Sequence, residues 1–284
     1  MKIDSVSFSN SDKKRASVLL VGVPDQTGCS YSKRKGTVFG PKAFRSASFM
    51  IDLSDPTAPI RDLKVCDCGD IEKTKVKDFV YATLKSKKFP IVIGGDHSIT
   101  YNIMEGVDKY TRNYSIIYLD AHYDTVKSIS NYHGSVLYDI SKLKNVNLSA
   151  SMIIGGRALT EEEVSVAKKL KIKTFDMDFI IENGLRNLLS EVKNIITDKV
   201  YLSIDLDVLD PAFAPGVTTP VPGGLTSAEY IYLIKHLAKL VNVGFDIMEL
   251  NPLFDDKNRI TSLLAVKSVY YALNRINIQM DWKR

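Results

Sequence analysis

Cysteine, histidine and tryptophan are all scarce: of 284 residues three are cysteine, four histidine and one tryptophan. Cys29, Cys66 and Cys68 are an odd number in an ordinary-sized chain, which argues against a disulfide framework and for a reducing compartment. Cys66 and Cys68 are one residue apart and have no second cysteine pair, so packing at a strand end is expected rather than a zinc site. Long apolar runs are missing too. No stretch approaches the ~20 apolar residues that span a bilayer. The opening MKIDSVSFSNSDKKR has no apolar core of the roughly 7–15 residues that a secretory signal needs. The cytoplasm is the expected location, with no membrane partner. Charge is nearly balanced, 38 basic side chains against 33 acidic ones giving a net +5. The basic clusters at residues 33–35 and 85–88 carry no interleaved aromatics and read as solvated surface, so nucleic acid is not an expected partner. There is no Pro/Ser-rich linker, repeat or low-complexity tract, and residues 1–284 are expected to form a single domain.

Against these absences stands a regular alternation. Short apolar, β-branched runs at residues 17–23, 63–66, 90–93, 115–119, 149–154, 171–175, 200–204 and 243–248 predict strands. Amphipathic segments at residues 73–85, 99–110, 161–170, 227–240 and 258–273 predict helices. Pro41 after Gly40 suits the first turn of another helix, carrying Phe44 and Arg45. Strict βα alternation with near-continuous apolar strands predicts an α/β fold with a parallel sheet covered on both faces. Eight strands can close as a barrel or stay open, and periodicity does not choose. In either case a site forms where strands end at their carboxyl edge.

Costly side chains gather at those edges. GGDHS (94–98), DAHYD (120–124), DLD (205–207) and ELNP (249–252) each follow a predicted strand. Alternate residues of an extended chain face the same side, so Asp120, His122 and Asp124 can converge, as can Asp205 and Asp207. With His97 they make four carboxylates and two imidazoles on one sheet. Buried and unpaired, the carboxylates would repel one another and protonate, whereas two divalent cations would cancel their charge. Oxygen-rich ligation with imidazole suits Mn²⁺; Zn²⁺, Ni²⁺ and Fe²⁺ also accept it, and Mg²⁺ seldom takes imidazole. Alone, each piece has a plainer explanation: D-x-D is commonly a turn, and GGDH can be a helix cap. Together at strand ends they point to a binuclear metal site. His236 lies on an amphipathic helix without acidic partners and is expected to be structural. His133 sits in a polar loop, either as an exposed side chain or as a functional one.

Beside these motifs stand GVP (22–24), FGP (39–41), HG (133–134), SIDLDVLDPAFAPG (203–216), TP (219–220) and GGLT (223–226). On them, through most of its length, the chain resembles the ureohydrolases, the family of agmatinases, arginases and formiminoglutamases. The resemblance implies a three-layer α/β/α domain with an open, mainly parallel eight-stranded sheet and two Mn²⁺ per chain. It implies that His97 binds one ion and His122 the other, that Asp120 and Asp205 bridge them, and that Asp124 and Asp207 complete the first and second sites. His133 matches the family's proton-shuttle histidine and Glu249 the acid that holds the substrate guanidinium, with Thr219 lining the same pocket. Asp124 is expected to relay a proton to the leaving amine. Also implied are a small cationic guanidine substrate, attack by a hydroxide bridging the two ions, and a homo-oligomer, trimeric or hexameric.

Arginases carry an Asn two residues beyond the last Asp of DAHxD, and a longer loop with a Ser, which together hold the substrate's α-carboxylate. Here Val126 occupies the first position and the path to His133 is shorter. Val126 cannot hydrogen-bond a carboxylate, and a missing polar partner weakens a specific site severely. Asp124-Thr125, the short loop, and Gly155-Gly156-Arg157 with Glu161 to Glu163 nearby look more like agmatinases. Cleavage of agmatine to putrescine and urea is therefore the expectation. The alternatives are guanidinobutyrase, formiminoglutamase or arginase activity, or a non-catalytic metal-binding relative. The usual agmatinase pattern is broken at Val126, often Tyr, at Lys35, often Pro, and at Gln26, often Asp, all bearing on the distal amine pocket.

Overall fold

The computed structural model describes residues 5–30, 32–51, 63–127 and 131–276. The loop read as short therefore includes residues 128–130, which lie outside the described residues. Eight strands are present: β1 Val18–Gly22, β2 Val65–Asp70, β3 Phe89–Ile93, β4 Tyr114–Leu119, β5 Met152–Ile154, β6 Lys173–Phe175, β7 Lys199–Asp205 and β8 Gly244–Met248. They form one sheet in the order β2-β1-β3-β8-β7-β4-β5-β6, and every pairing is parallel. The outermost strands β2 and β6 stay apart, so the sheet is open and the barrel alternative falls.

The helices are α1 Gly40–Ser48, α2 Val76–Lys85, α3 Ile99–Tyr110, α4 Val136–Ile140, α5 Glu161–Lys169, α6 Met177–Ile195, α7 Ser227–Leu237 and α8 Ile260–Leu273. Local chemistry sets their starts. Pro41 occupies the first turn of α1. Thr160 with Glu163, and Thr226 with Glu229, form reciprocal capping boxes at α5 and α7. Alternation along the strands then supplies both faces of the sheet. Leu20, Ile93, Ile117, Ile204 and Ile247 pack with Phe44, Leu188, Leu233 and Ala265 from α1, α6, α7 and α8. Val92, Ile116, Tyr118 and Ile153 pack with Val80, Ile103, Val136 and Ala167 from α2 to α5. Burying each large apolar side chain contributes about 1.5–3 kcal/mol, so the sheet centre is a stiff platform.

Three expectations are corrected. Helix α6 and the short α4 were not predicted. Gly184 breaks α6 at φ +74°, in the left-handed region open to glycine, and so splits its apolar stripe into two short pieces. Strand β5 begins at Met152 rather than 149, because residues 148–150 form a 3₁₀ turn capped by Asn147. The 33–35 cluster is not uniformly solvated. Lys33 and Lys35 are exposed, but Arg34 stacks on Phe254 at 3.7 Å and donates to the carbonyls of Pro215 and Val217. Cys66 and Cys68 lie on β2, where burial pushes the Cys68 thiol up to about 12. Among the described residues no helix is long and apolar enough to cross a membrane.

Strands β3, β8, β7 and β4 are neighbours at the sheet centre. Here strand order switches between the β1–β3 side and the β4–β6 side, which brings the segments leaving four carboxyl ends into one crevice.

Candidate metal centre

Those segments carry the expected residues. His97 follows β3, while Asp120, His122 and Asp124 follow β4; Asp205 ends β7, Asp207 lies in the turn behind it, and Glu249 follows β8. Two donor groups result, His97–Asp120–Asp205 and Asp120–His122–Asp207, with the ligand atoms of each within 4.8 Å of one another. His97 Nδ1 lies 3.1 Å from Asp120 Oδ2, 3.0 Å from Asp205 Oδ2 and 3.7 Å from Asp124 Oδ2. His122 Nδ1 lies 3.2 Å from Asp120 Oδ1 and 3.1 Å from Asp207 Oδ2. Asp120 thus turns one oxygen to each histidine. Asp205 turns Oδ2 to His97, while its Oδ1 accepts the Asp207 N–H at 2.7 Å.

Backbone and buried partners aim these groups. Asp124 and Glu249 adopt φ of +48° and +62°, uncommon for non-glycine residues and held only where the surroundings insist. His97 Nε2 lies 2.9 Å from Ser203 Oγ, which donates to Asp246 Oδ1 at 2.8 Å. Thr100 and Tyr201 donate to the other Asp246 oxygen. With Nε2–H engaged by Ser203, Nδ1 is the ring atom turned to the carboxylates, and its lone pair would become available to an ion that displaces the proton there. Asp96 of GGDHS instead accepts the backbone N–H groups of Gly28 and Cys29, and so braces a turn. Arg157 of the Gly155-Gly156-Arg157 segment donates to the carbonyls of Asp207, Leu209 and Val221. It fixes the segment that presents Asp207.

The electrostatics are those of a cluster short of positive charge. Burial pushes Asp124 up to about 8 and raises Asp205 and Asp207, with neighbouring carboxylates adding to each. Burial would raise Asp120 as well, but hydrogen bonds from His122 and His97 hold it well below the carboxylate range. Burial opposes the charged form of both imidazoles, yet the surrounding carboxylates raise them. Glu249 Oε2 is buried and receives no hydrogen bond. Leaving such an oxygen unmet costs about 1–3 kcal/mol, and more for a charged group. Two divalent cations would meet these demands, and an O/N donor set of four carboxylates and two imidazoles fits them.

A cavity of about 270 Å³ opens on the cluster, lined by His122, Asp124, Asp205 and Asp207 and by the predicted His133, Thr219 and Glu249. Glu249 Oε1 accepts the His97 N–H at 3.0 Å and lies 3.2 Å from His133 Nδ1. Burial opposes the charge on His133, but this bond to Glu249 raises it to about 9; against its own burial, Glu249 is lowered by the same contact. Val126, Tyr132, Gly134, Ala158, Thr160 and Glu163 complete the lining. His236 lies apart on α7, its Nδ1 on the Tyr232 carbonyl. Sequence reasoning missed Tyr118, Ser203 and Asp246. The available signal was a polar residue inside an apolar strand, two before Asp120, two before Asp205 and three before Glu249.

The arginase-family profile matches residues 16–274. The chain is similar to agmatinase of Blochmanniella floridana, 33% identical over 263 residues, which cover 87% of this chain and 84% of that one. It is equally similar to proclavaminate amidinohydrolase of Streptomyces clavuligerus, 33% identical over 268 residues covering 88% and 85%. Among solved structures, agmatine ureohydrolase of Thermoplasma volcanium superposes with a TM-score of 0.87 at 26% identity, covering 100% of this chain and 98% of that one.

Proposed function

The chain belongs to the arginase family, whose hydrolases act on linear guanidino compounds, and we propose that its own substrate is agmatine, cleaved to putrescine and urea. The charge of the cavity carries this reading. Among the described lining residues there is no Lys or Arg, and Glu163 stands beside Val126, Tyr132, Ala158 and Thr160. Arginine, guanidinobutyrate and formiminoglutamate each bring a carboxylate away from the scissile group. Val126 offers that carboxylate no hydrogen bond, and Glu163 repels it. Agmatine brings an ammonium, which Glu163 complements.

At the other end Glu249 Oε2, buried without a donor, would accept from the guanidinium, whose planar N–H fork matches a carboxylate. The same side chain compensates the substrate's charge as the trigonal carbon becomes tetrahedral. Two divalent cations, one held by His97, Asp120, Asp124 and Asp205 and one by Asp120, His122, Asp207 and Asp205, would supply Lewis acidity and make water acidic, towards ~7 in zinc cases. Asp124, whose Oδ2 faces His97 and which also lines the cavity, can relay a proton to the leaving amine. His133, bonded to Glu249 and partly open to the cavity, can exchange protons with solvent. Manganese as the ion, a trimer or hexamer, the cytoplasm and a single domain over 1–284 belong to the same proposal. That every ligand comes from one sheet supports the last.

The test is urea release from agmatine, arginine and guanidinobutyrate, with formamide release from formiminoglutamate. Agmatine should lead in kcat/KM by at least roughly tenfold, ~1.4 kcal/mol. Equal turnover of a carboxylate-bearing substrate would refute the reading of Val126 and Glu163.

A further inference from the structure

Tyr118 is fully buried on β4, two residues before Asp120. Its ring lies flat on the His97 imidazole, with centroids 4.5 Å apart and planes 6° apart. Its hydroxyl reaches Asp124 Oδ2 at 2.6 Å and His97 Nδ1 at 3.0 Å. One phenol therefore touches two of the ligands assigned to one ion. No hydrogen bond or ring contact joins it to His122 or Asp207, the ligands particular to the other.

We propose that Tyr118 is a positioning residue for the cation at His97 alone, acting through Asp124 and through the plane of the imidazole. The proposal rests on the two-ion reading above. An O–H donating to a carboxylate at this length is a strong, charge-assisted bond. It fixes the rotamer of Asp124, whose left-handed backbone lies outside any strand or helix. A phenol has one proton to give. If it goes to Asp124, the nearby His97 Nδ1 keeps its lone pair, the state that Ser203 and Asp246 set from the opposite ring nitrogen. The stacked ring then fixes the plane in which that lone pair lies.

Tyr118→Phe keeps the ring and deletes only the hydroxyl. Metal-free wild type and variant would be titrated with Mn²⁺ against a chelator, with the electron paramagnetic resonance spectrum followed. The wild type should take up two ions and show a spin-coupled pair. The variant should bind one ion as before and the other about 10–100-fold more weakly, so that isolated Mn²⁺ appears at matched loading. Two unchanged affinities in the variant would overturn the positioning role, whereas a wild type that binds no ion would overturn the two-ion reading itself. A second measurement needs no variant. Mn²⁺ loading of the wild type should produce no tyrosinate absorption difference, and its appearance would make Tyr118 a ligand and overturn the proposal.

Discussion

The six side chains of the cluster stand on the segments that leave the central strands β3, β4 and β7, whereas Val126, Tyr132, Ala158 and Thr160 lie farther out along the loops of the cavity wall. The first group is tied to buried partners: His97 to Ser203, Asp120 to both histidines, and Asp207 to a segment that Arg157 fixes. The second group has fewer such ties; Val126 is anchored by its backbone N–H on the Gly134 carbonyl and Thr160 by its capping box. A rigid strand end can hold several charged groups to a geometry that a loop cannot, while a loop tolerates exchange. On the proposed function, the reaction would be carried by the segments at the sheet edge and the choice among guanidino compounds by the loops.

Substitutions that break the strand-end group should have the largest effect. Asp124→Asn should lose bound metal and more than ~10³-fold of the urea-releasing activity, read by elemental analysis and initial rates. Glu249→Gln should keep its metal but lose about 2–5 kcal/mol of transition-state binding, because a buried charge partner disappears. A normal kcat/KM for that variant would remove Glu249 from the guanidinium site.

The His133–Glu249 pair gives the comparison a pH signature. His133 rises from 6.5 to about 9, so its stabilisation is fully present below 6.5 and lost as pH climbs through about 9. Glu249 is lowered from 4.5, so its stabilisation is present above 4.5 and lost as pH falls through the depressed value. Thermal unfolding of metal-free protein should show the pair's full contribution between 4.5 and 6.5. His133→Gln should flatten the alkaline arm, and an unchanged arm would contradict the assignment. Smallest of all, Val126→Asn on the loop wall should leave metal content alone and shift the arginine-to-agmatine ratio by up to about tenfold, ~1.4 kcal/mol. His236→Ala on α7 is the control and should change neither metal nor rate.

The same division explains what could be read in advance. The central strands were legible because their β-branched residues are buried on both faces, and the six cluster residues because acidic and imidazole side chains recur just past strand ends. Bends after β4, the left-handed Asp124 and a 3₁₀ turn after β7 bring them together, not the extended alternation expected. Helix α6 was hidden by Gly184, whose left-handed backbone interrupts the apolar period. Ser203 and Asp246 were not legible because their partners lie far away in sequence: Asp246 meets Thr100 of α3, and Ser203 meets His97. Tyr118 is six residues from Asp124, but the left-handed backbone that turns Asp124 toward it leaves no mark in the sequence.

On this reading the carboxylates and imidazoles at the sheet edge hold a pair of cations. Calorimetric titration of chelator-stripped protein with Mn²⁺ near neutral pH, in two buffers of different ionisation enthalpy, measures it most directly. Since His97, His122 and Asp124 are all raised in the absence of metal, binding should displace protons. Two saturable equivalents per chain, proton release, and recovery of urea-forming activity in step with loading are expected. Absence of saturable binding, or undiminished urea release from the stripped protein, would contradict this reading.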